Sequence, residues 1–272
     1  MLLAFQAALL GIVQGITEFL PISSTGHLIL VDEFIKLEDS FKETFLVVVQ
    51  LGSILAVLAY FHARLLPRAA LSDPQLRRRT LSLWLKAGLG VLPAVLVGAV
   101  FGSAIKSALY SSTLAVAIAL LAGGIALIVI ERRPPKPAAI ATTEQLGYGR
   151  ALAIGAVQCL ALVPGVSRSA ATIIGSLLLG ASRTCAVEFS FFLAIPTMFA
   201  ASAYTFYKEG AALNAEEWTA TGVGFLTAFA VSWWVIARLM DFIRRRDLGV
   251  FGWYRIVLGA ILIAMHLGRQ MT

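Results

Sequence analysis

The sequence predicts an all-α polytopic membrane protein of six transmembrane helices plus two re-entrant helical hairpins, arranged as an inverted-topology repeat. Three observations predict it. Of the 272 residues, 59% are hydrophobic and only 14% are charged, where a soluble domain is about half apolar and about a quarter charged. Apolar runs of roughly 17–25 residues, the length a helix needs to span a bilayer, recur from end to end. Two polar clusters inside apolar sequence look like copies of each other: Pro21-Ile22-Ser23-Ser24-Thr25-Gly26-His27 and Pro164-Gly165-Val166-Ser167-Arg168-Ser169. Each follows an apolar stretch that carries a glutamine, Gln14 in Gly11-Ile12-Val13-Gln14 and Gln158 in Gly155-Ala156-Val157-Gln158.

Taken in order, the first polar cluster lies in a segment covering about 2–35, which reads as helix, break, helix. Proline removes a backbone donor and disfavours helical geometry in the residue before it, so Leu20 should end the first helix. The Ser and Thr residues after the break suit the N-cap of the next. Spanning helices follow at about 44–61, 83–102 and 112–131, each long enough to cross. A second helix–break–helix segment covers about 151–182, with Val163 ending its first helix, and spans at about 185–207, 218–240 and 252–268 complete the chain. The pieces after the breaks, about 24–35 and 169–181, reach only about 18 Å at 1.5 Å per residue, so both segments read as re-entrant.

One integral membrane domain, 1–272, then divides into repeat 1 (about 1–131), a proline-bearing cytoplasmic connector (about 132–149) and repeat 2 (about 150–272). Three crossings separate the hairpins, so they enter from opposite faces, as in some transporters. The repeat continues as a loose match of Gln50-Leu51-Gly52-Ser53-Ile54-Leu55-Ala56 with Glu188-Phe189-Ser190-Phe191-Phe192-Leu193-Ala194. Of 22 Lys and Arg, 16 fall on one face: Arg64, Arg68, Arg77, Arg78, Arg79, Lys86, Arg132, Arg133, Lys136, Arg150, Arg183, Arg238, Arg244, Arg245, Arg246 and Arg255. Lys36, Lys42, Lys106, Lys208 and Arg269 fall on the other, and Arg168 lies within the membrane. The positive-inside rule makes the richer face cytoplasmic, with both termini and the mouth of the first hairpin outside. Asp32 and Glu33 then sit solvated at the outer interface.

The net charge of +7 fits basic loops of this kind, and no basic stripe interleaved with aromatics points to nucleic acid. Arg77-Arg78-Arg79 reads as a topology signal or headgroup contact. Cys159 and Cys185 read as small packing residues, with no disulfide framework or thiolate metal spacing. Met1 to Leu10 has no basic n-region or cleavage site and reads as mature protein.

Polar groups at membrane depth are costly, so the two clusters are where chemistry is expected. Gln14 and Glu18 are four apart and share a helix face. Ser23, Ser24 and Thr25 open the next helix, whose free N–H groups form an anion site, and His27 lies one turn in. Arg168, flanked by Ser167 and Ser169 with Thr172 one turn on, offers a planar fork suited to phosphate oxygens. If the tips meet, a carboxylate, a histidine, hydroxyls, an arginine and two helix N-termini converge. Those parts suit phosphoryl transfer, which needs charge neutralisation and positioning and a hydroxyl activated by an adjacent base. Glu188 and Gln50 read as structural hydrogen-bonders.

At these residues the chain resembles the bacterial undecaprenyl-pyrophosphate phosphatases associated with bacitracin resistance. Gln14-Gly15-Ile16-Thr17-Glu18-Phe19-Leu20-Pro21-Ile22-Ser23-Ser24-Thr25-Gly26-His27 is similar to that family's first signature, and Pro164-Gly165-Val166-Ser167-Arg168-Ser169-Ala170-Ala171-Thr172 to its second. Val49 to Val57 and Glu188 to Phe191 also resemble family segments, and the likeness runs from about residue 5 to 268.

The resemblance implies removal of the terminal phosphate from the C55 lipid carrier pyrophosphate, leaving the monophosphate for cell-wall synthesis. It implies an inner-membrane location and a divalent cation, Mg2+ or Ca2+. Carried over by position, Glu18 with Gln14 holds metal and pyrophosphate, Ser24 is the nucleophile, and His27 is its base or a general acid. Arg168 clamps the phosphates, helped by Ser167, Ser169 and Thr172; Ser23 and Thr25 join the substrate site. The first acidic position of the pattern is glutamine here, which removes one carboxylate. Partners expected are the polyprenyl pyrophosphate and membrane lipid, with a homodimer carried as a further expectation. The rival reading is an inverted-repeat transporter or flippase for a phosphorylated lipid; a structural or receptor protein would not need so many intramembrane polar groups.

Overall fold

A computed structural model describes residues 1–32, 34, 35, 37–110, 112–133, 138–209 and 213–271. Expectations placed on Glu33, Lys36 and Lys136, and on the side chains of Asp32, Lys208 and Arg269, lie outside what is described.

The chain is helical, with one isolated bridge between Ile140 and Ala181 and no longer strand among the described residues. Helices α1 (Leu2–Thr17) and α2 (Ser24–Asp32) flank the first break. They are followed by α3 (Asp39–Tyr60), the short α4 (His62–Leu65), α5 (Pro74–Leu109) and α6 (Thr113–Glu131). Across the connector, α7 (Tyr148–Gln158) and α8 (Arg168–Leu178) flank the second break, and α9 (Arg183–Glu209), α10 (Ala215–Arg245) and α11 (Gly249–Met271) complete the chain. Among the described residues, six helices are long and apolar enough to cross a membrane, and they fall where hydropathy puts them.

α5 and α10 start ahead of the predicted spans because side-chain caps set their first turns. Asp73 accepts from Gln75 N and Leu76 N with Pro74 at the first position, starting α5 nine residues early. Asn214 and Glu217 form a capping box that starts α10, satisfying donors a helix N-terminus leaves open. The breaks begin earlier than proline alone dictates. α1 ends at Thr17 rather than Leu20, and after Gln158 the chain tightens into a 3-10 turn, Cys159–Leu162, before Val163. Tightening of a final turn lets carbonyls with no continuing helix find closer partners.

Packing is reciprocal. α1 lies against α10, and α7 lies against α5, while α3 meets α9 and α6 meets α11. Both outer contacts use the glycine three before the glutamine: a Cβ at Gly11 would lie 2.6 Å from the Gly224 carbonyl oxygen. A Cβ at Gly155 would fall on the Gly90 backbone. Small residues let membrane helices approach this closely. Gly155→Ala should therefore cost about 1–3 kcal/mol by overpacking, read as a lower melting temperature in detergent. Gly149→Ala, where a Cβ meets nothing within 4 Å, should leave it unchanged.

The ends of α4, α6 and α9 that share one face are tied to each other and to the connector by charge. Arg64 reaches Glu188 at 2.7 Å, Thr143 Oγ1 at 2.8 Å and Glu144 at 3.0 Å. Glu131 accepts from Arg183 and from Leu248 N, at 2.5 Å and 3.1 Å. Burial would raise the Glu144 carboxyl, but hydrogen bonds from its own backbone and Thr142, with the Arg64 charge, hold it below the usual carboxylate range. Glu188 is thus a structural partner. Both cysteines are free, Cys185 buried in α9 and Cys159 in the 3-10 turn. Arg255, expected on the basic face, is instead fully buried. It sits six residues into α11, inside the predicted span 252–268.

Candidate active site

The two breaks meet. The first leaves α1 through Glu18 and turns at Pro21 into α2; the second turns at Pro164 into α8. The turning residues are alike. Ser23 has φ 72° and Ser167 φ 71°, the two non-glycine residues with positive φ among those described. Each stands just before its helix, and each hydroxyl accepts from the N–H three residues on, Ser23 from Gly26 at 3.5 Å and Ser167 from Ala170 at 3.3 Å. L-residues hold positive φ at a cost of about 1–2 kcal/mol, and such strain collects where surrounding structure fixes a site.

Glu18 is the junction. Its Oε2 accepts from Gln14 Nε2 at 2.9 Å and from Ser24 Oγ at 3.3 Å. Its Oε1 accepts from Arg168 Nη2 at 3.1 Å. The carboxylate is therefore shared by the hydroxyl that opens α2 and the guanidinium that opens α8. Arg168 Nη1 donates to the Ser190 carbonyl at 2.9 Å, while its Nε is buried with no protein partner. Gln14 Oε1 is likewise buried and unpartnered. In the second copy Gln158 instead pairs with Thr197 at 3.3 Å, and no acid follows it. One break supplies the acid and hydroxyl, the other the cation.

His27 stands one turn into α2. Its Nδ1 lies 2.8 Å from the Ser23 carbonyl and its Nε2 2.7 Å from the Tyr254 hydroxyl. A carbonyl can only accept, so Nδ1 carries the hydrogen and Nε2 accepts a hydrogen bond from the Tyr254 hydroxyl. Tyr254 also stacks on the imidazole, centroids 5.5 Å apart. Ser24 thus bonds the carboxylate rather than His27. A groove of about 400 Å³ runs from His27 between Val13, Ile16, Leu20, Ile22 and Phe251, with apolar walls.

The remaining predicted residues divide. Thr25 is half-buried beside Ser24, and Ser167 is half-buried at the second turn. Ser23, Ser169 and Thr172 are buried and face protein. Ser169 Oγ donates to the Leu20 carbonyl at 2.8 Å, joining one break to the other. Thr172 Oγ1 pairs with Ser190 Oγ at 2.6 Å. As placed, these two hold the second loop and do not line the groove.

Sequence reading missed three residues here: Arg255, Tyr254 and Ser190. Arg255 donates to the carbonyls of Pro21 at 3.3 Å, Gly165 at 3.1 Å, Ala119 at 3.1 Å and Leu120 at 3.4 Å, so it clips both breaks to α6. Its signal was an arginine inside an apolar span. Tyr254 and Ser190 gave none: a tyrosine near a span end reads as an interface anchor, and a serine on a spanning helix as packing.

Residues 7–261 match the bacitracin resistance protein BacA family. The undecaprenyl-diphosphatase 1 of Clostridioides difficile is 51% identical over 96% of this chain and 95% of its own. The undecaprenyl-diphosphatases of Acetivibrio thermocellus and Enterococcus faecalis are each 47% identical, covering 98% and 93% of this chain and 99% and 94% of theirs. With a match over nearly its whole length, the chain belongs to the bacitracin resistance protein BacA family.

Proposed function

We propose that this chain is an integral membrane phosphatase that hydrolyses undecaprenyl pyrophosphate to undecaprenyl phosphate and inorganic phosphate, recycling the carrier for cell-wall synthesis and conferring bacitracin resistance. The observation that carries the reading is the shared Glu18 carboxylate, bonded to both Ser24 and Arg168. A base beside a hydroxyl, with a guanidinium next to both, is what attack on a phosphoric anhydride needs.

In this reading Ser24 Oγ attacks the terminal phosphorus as its proton passes to Glu18. The prenyl phosphate leaves, and water then frees the phosphate from Ser24, with His27 Nε2 taking the water's proton once Tyr254 turns aside and Glu18 returning its proton to Ser24 Oγ. Arg168 neutralises phosphate charge with its guanidinium, whose Nε–H has no protein partner. The apolar groove at His27 receives the first isoprene units of the tail.

A divalent cation fits the residues present. No cluster of three or more His, Cys, Asp or Glu suited to a metal occurs among the described residues. Glu18 and the unpartnered Gln14 Oε1 would hold the ion, and phosphate oxygens and water would supply its remaining ligands, the habit of Mg2+. When bound, it would neutralise pyrophosphate charge.

The same reading makes the chain an inverted repeat with two re-entrant hairpins. Reciprocal packing of α1 on α10 and α7 on α5, and the paired serine geometry, support it. The basic face carrying Arg64, Arg183 and Arg244 is then cytoplasmic and the pocket opens outward.

Purified protein should release phosphate from a polyprenyl pyrophosphate, and a chelator should suppress the release. Ser24→Ala should slow it by two or more orders of magnitude, direct attack by water supplying the remainder. A flippase would instead move the lipid across liposomes chemically intact, and phosphate release unaffected by Ser24→Ala would refute the nucleophile.

A further inference from the structure

The face tied by Arg64 and Glu188 holds a second hollow, away from Glu18. About 200 Å³ in volume, it is lined by Arg78, Arg79, Ser82, Leu83 and Lys86 of α5 and by Thr143 and Glu144 of the connector. Lys86 is 5% exposed at its wall, donating to the Thr143 and Glu144 carbonyls at 3.2 Å and 3.0 Å. The Tyr148 ring lies 5.7 Å from the same ammonium. Glu144, the one acid in the lining, is committed to Arg64. Arg78 and Arg79 are exposed and carry no hydrogen bond or ion pair among the described residues. Three cations against one neutralised carboxylate leave the hollow strongly positive.

Its position adds a second observation. Arg78, Ser82, Leu85, Leu89, Leu92 and Leu96 recur at steps of four and three, one stripe along α5. Below the basic head, Leu85, Leu92 and Leu96 are 59%, 49% and 66% exposed. α5 is also the least buried of the six spans, 11% over its apolar window. A basic hollow at one end of an uncovered leucine track matches a phosphate headgroup with acyl chains below it.

We propose that this hollow binds one anionic phospholipid, its phosphate on Arg78, Arg79 and Ser82 and its chains along the α5 leucines. Basic residues beside a bilayer surface attract anionic lipid at about 1 kcal/mol each, so losing two predicts binding about 30-fold weaker. The inference needs only that the chain crosses the membrane and is independent of the phosphatase reading.

Native mass spectrometry tests it, with protein in detergent equilibrated with equal phosphatidylglycerol and phosphatidylcholine of the same acyl chains. Wild type should retain one phosphatidylglycerol in preference to phosphatidylcholine. The R78Q/R79Q variant should need about 30-fold more lipid for equal occupancy, and its phosphate release should stay at the wild-type rate. R132Q/R133Q, the same charge loss on the same face outside the hollow, should bind as wild type does. Equal binding by wild type and R78Q/R79Q, or equal weakening in the control, would overturn the site. Displacement of the lipid by millimolar inorganic phosphate would overturn the lipid assignment in favour of a free-anion site.

Discussion

Arg168→Ala should lower phosphate release about 10³-fold or more, beyond the loss from Ser24→Ala. One electrostatic donor removed from a transition state costs about 10²–10³ in rate. Here the same side chain also neutralises Glu18, 3.1 Å away and 7% exposed. Without it the carboxylate is left buried and uncompensated, which costs far more than the pair is worth. The base beside Ser24 is then altered along with the phosphate clamp. Arg168→Lys should remain about 10²-fold slow, because an ammonium cannot span the Ser190 carbonyl and Glu18 while offering a planar edge to phosphate. Steady-state release in detergent checks both. Arg168→Lys at the wild-type rate would mean that only charge, and not the fork, is used.

Arg255→Met should be the most damaging change to the fold among residues that do not bond Glu18. The guanidinium is fully buried and serves four carbonyls, two of them at the breaks, Pro21 and Gly165. Those two lie in non-helical backbone, where no ladder partner replaces the lost donor. At about 1–3 kcal/mol for each buried group left unpaired, the loss is about 2–6 kcal/mol. The room for the side chain is also built in: a Cβ at Gly123 would overlap the Arg255 guanidinium. A fall of about 10 °C in melting temperature follows at a few degrees per kcal/mol. Arg255→Lys should recover part of it, since three donors on a shorter reach cannot serve four oxygens. An unchanged melting temperature for Arg255→Met would show that water or relaxation satisfies both carbonyls.

The spanning helices were legible because hydropathy averages over a whole crossing, and six apolar windows are hard to mistake. Their ends were not, since Asp73 and Asn214 act through single hydrogen bonds that an average erases. The breaks were legible from Pro21 and Pro164, but proline marks where a helix cannot continue, not where it stops. Thr17 and Gln158 therefore close their helices several residues early. Within the site, Glu18, Ser24 and Arg168 were legible as polar groups in apolar sequence, and Glu18 joins them. The partner of His27 was not legible: Tyr254 is 227 residues away and carries no chemical oddity of its own. Arg255 was misplaced for a different reason. Counting charges by loop treats every arginine near a span end as loop-borne, whereas this one turns inward to the breaks.

The crossed packing of α1 on α10 and α7 on α5 bears on how the protein is made. α1 leaves the ribosome about two hundred residues ahead of the helix it rests on. Until then its Gly11 and Gly15 face lacks its mate, and Glu18 waits for the arginine that answers it. The first half gains these contacts only once the second half arrives. Assembly is therefore a late, whole-chain event rather than one completed half by half.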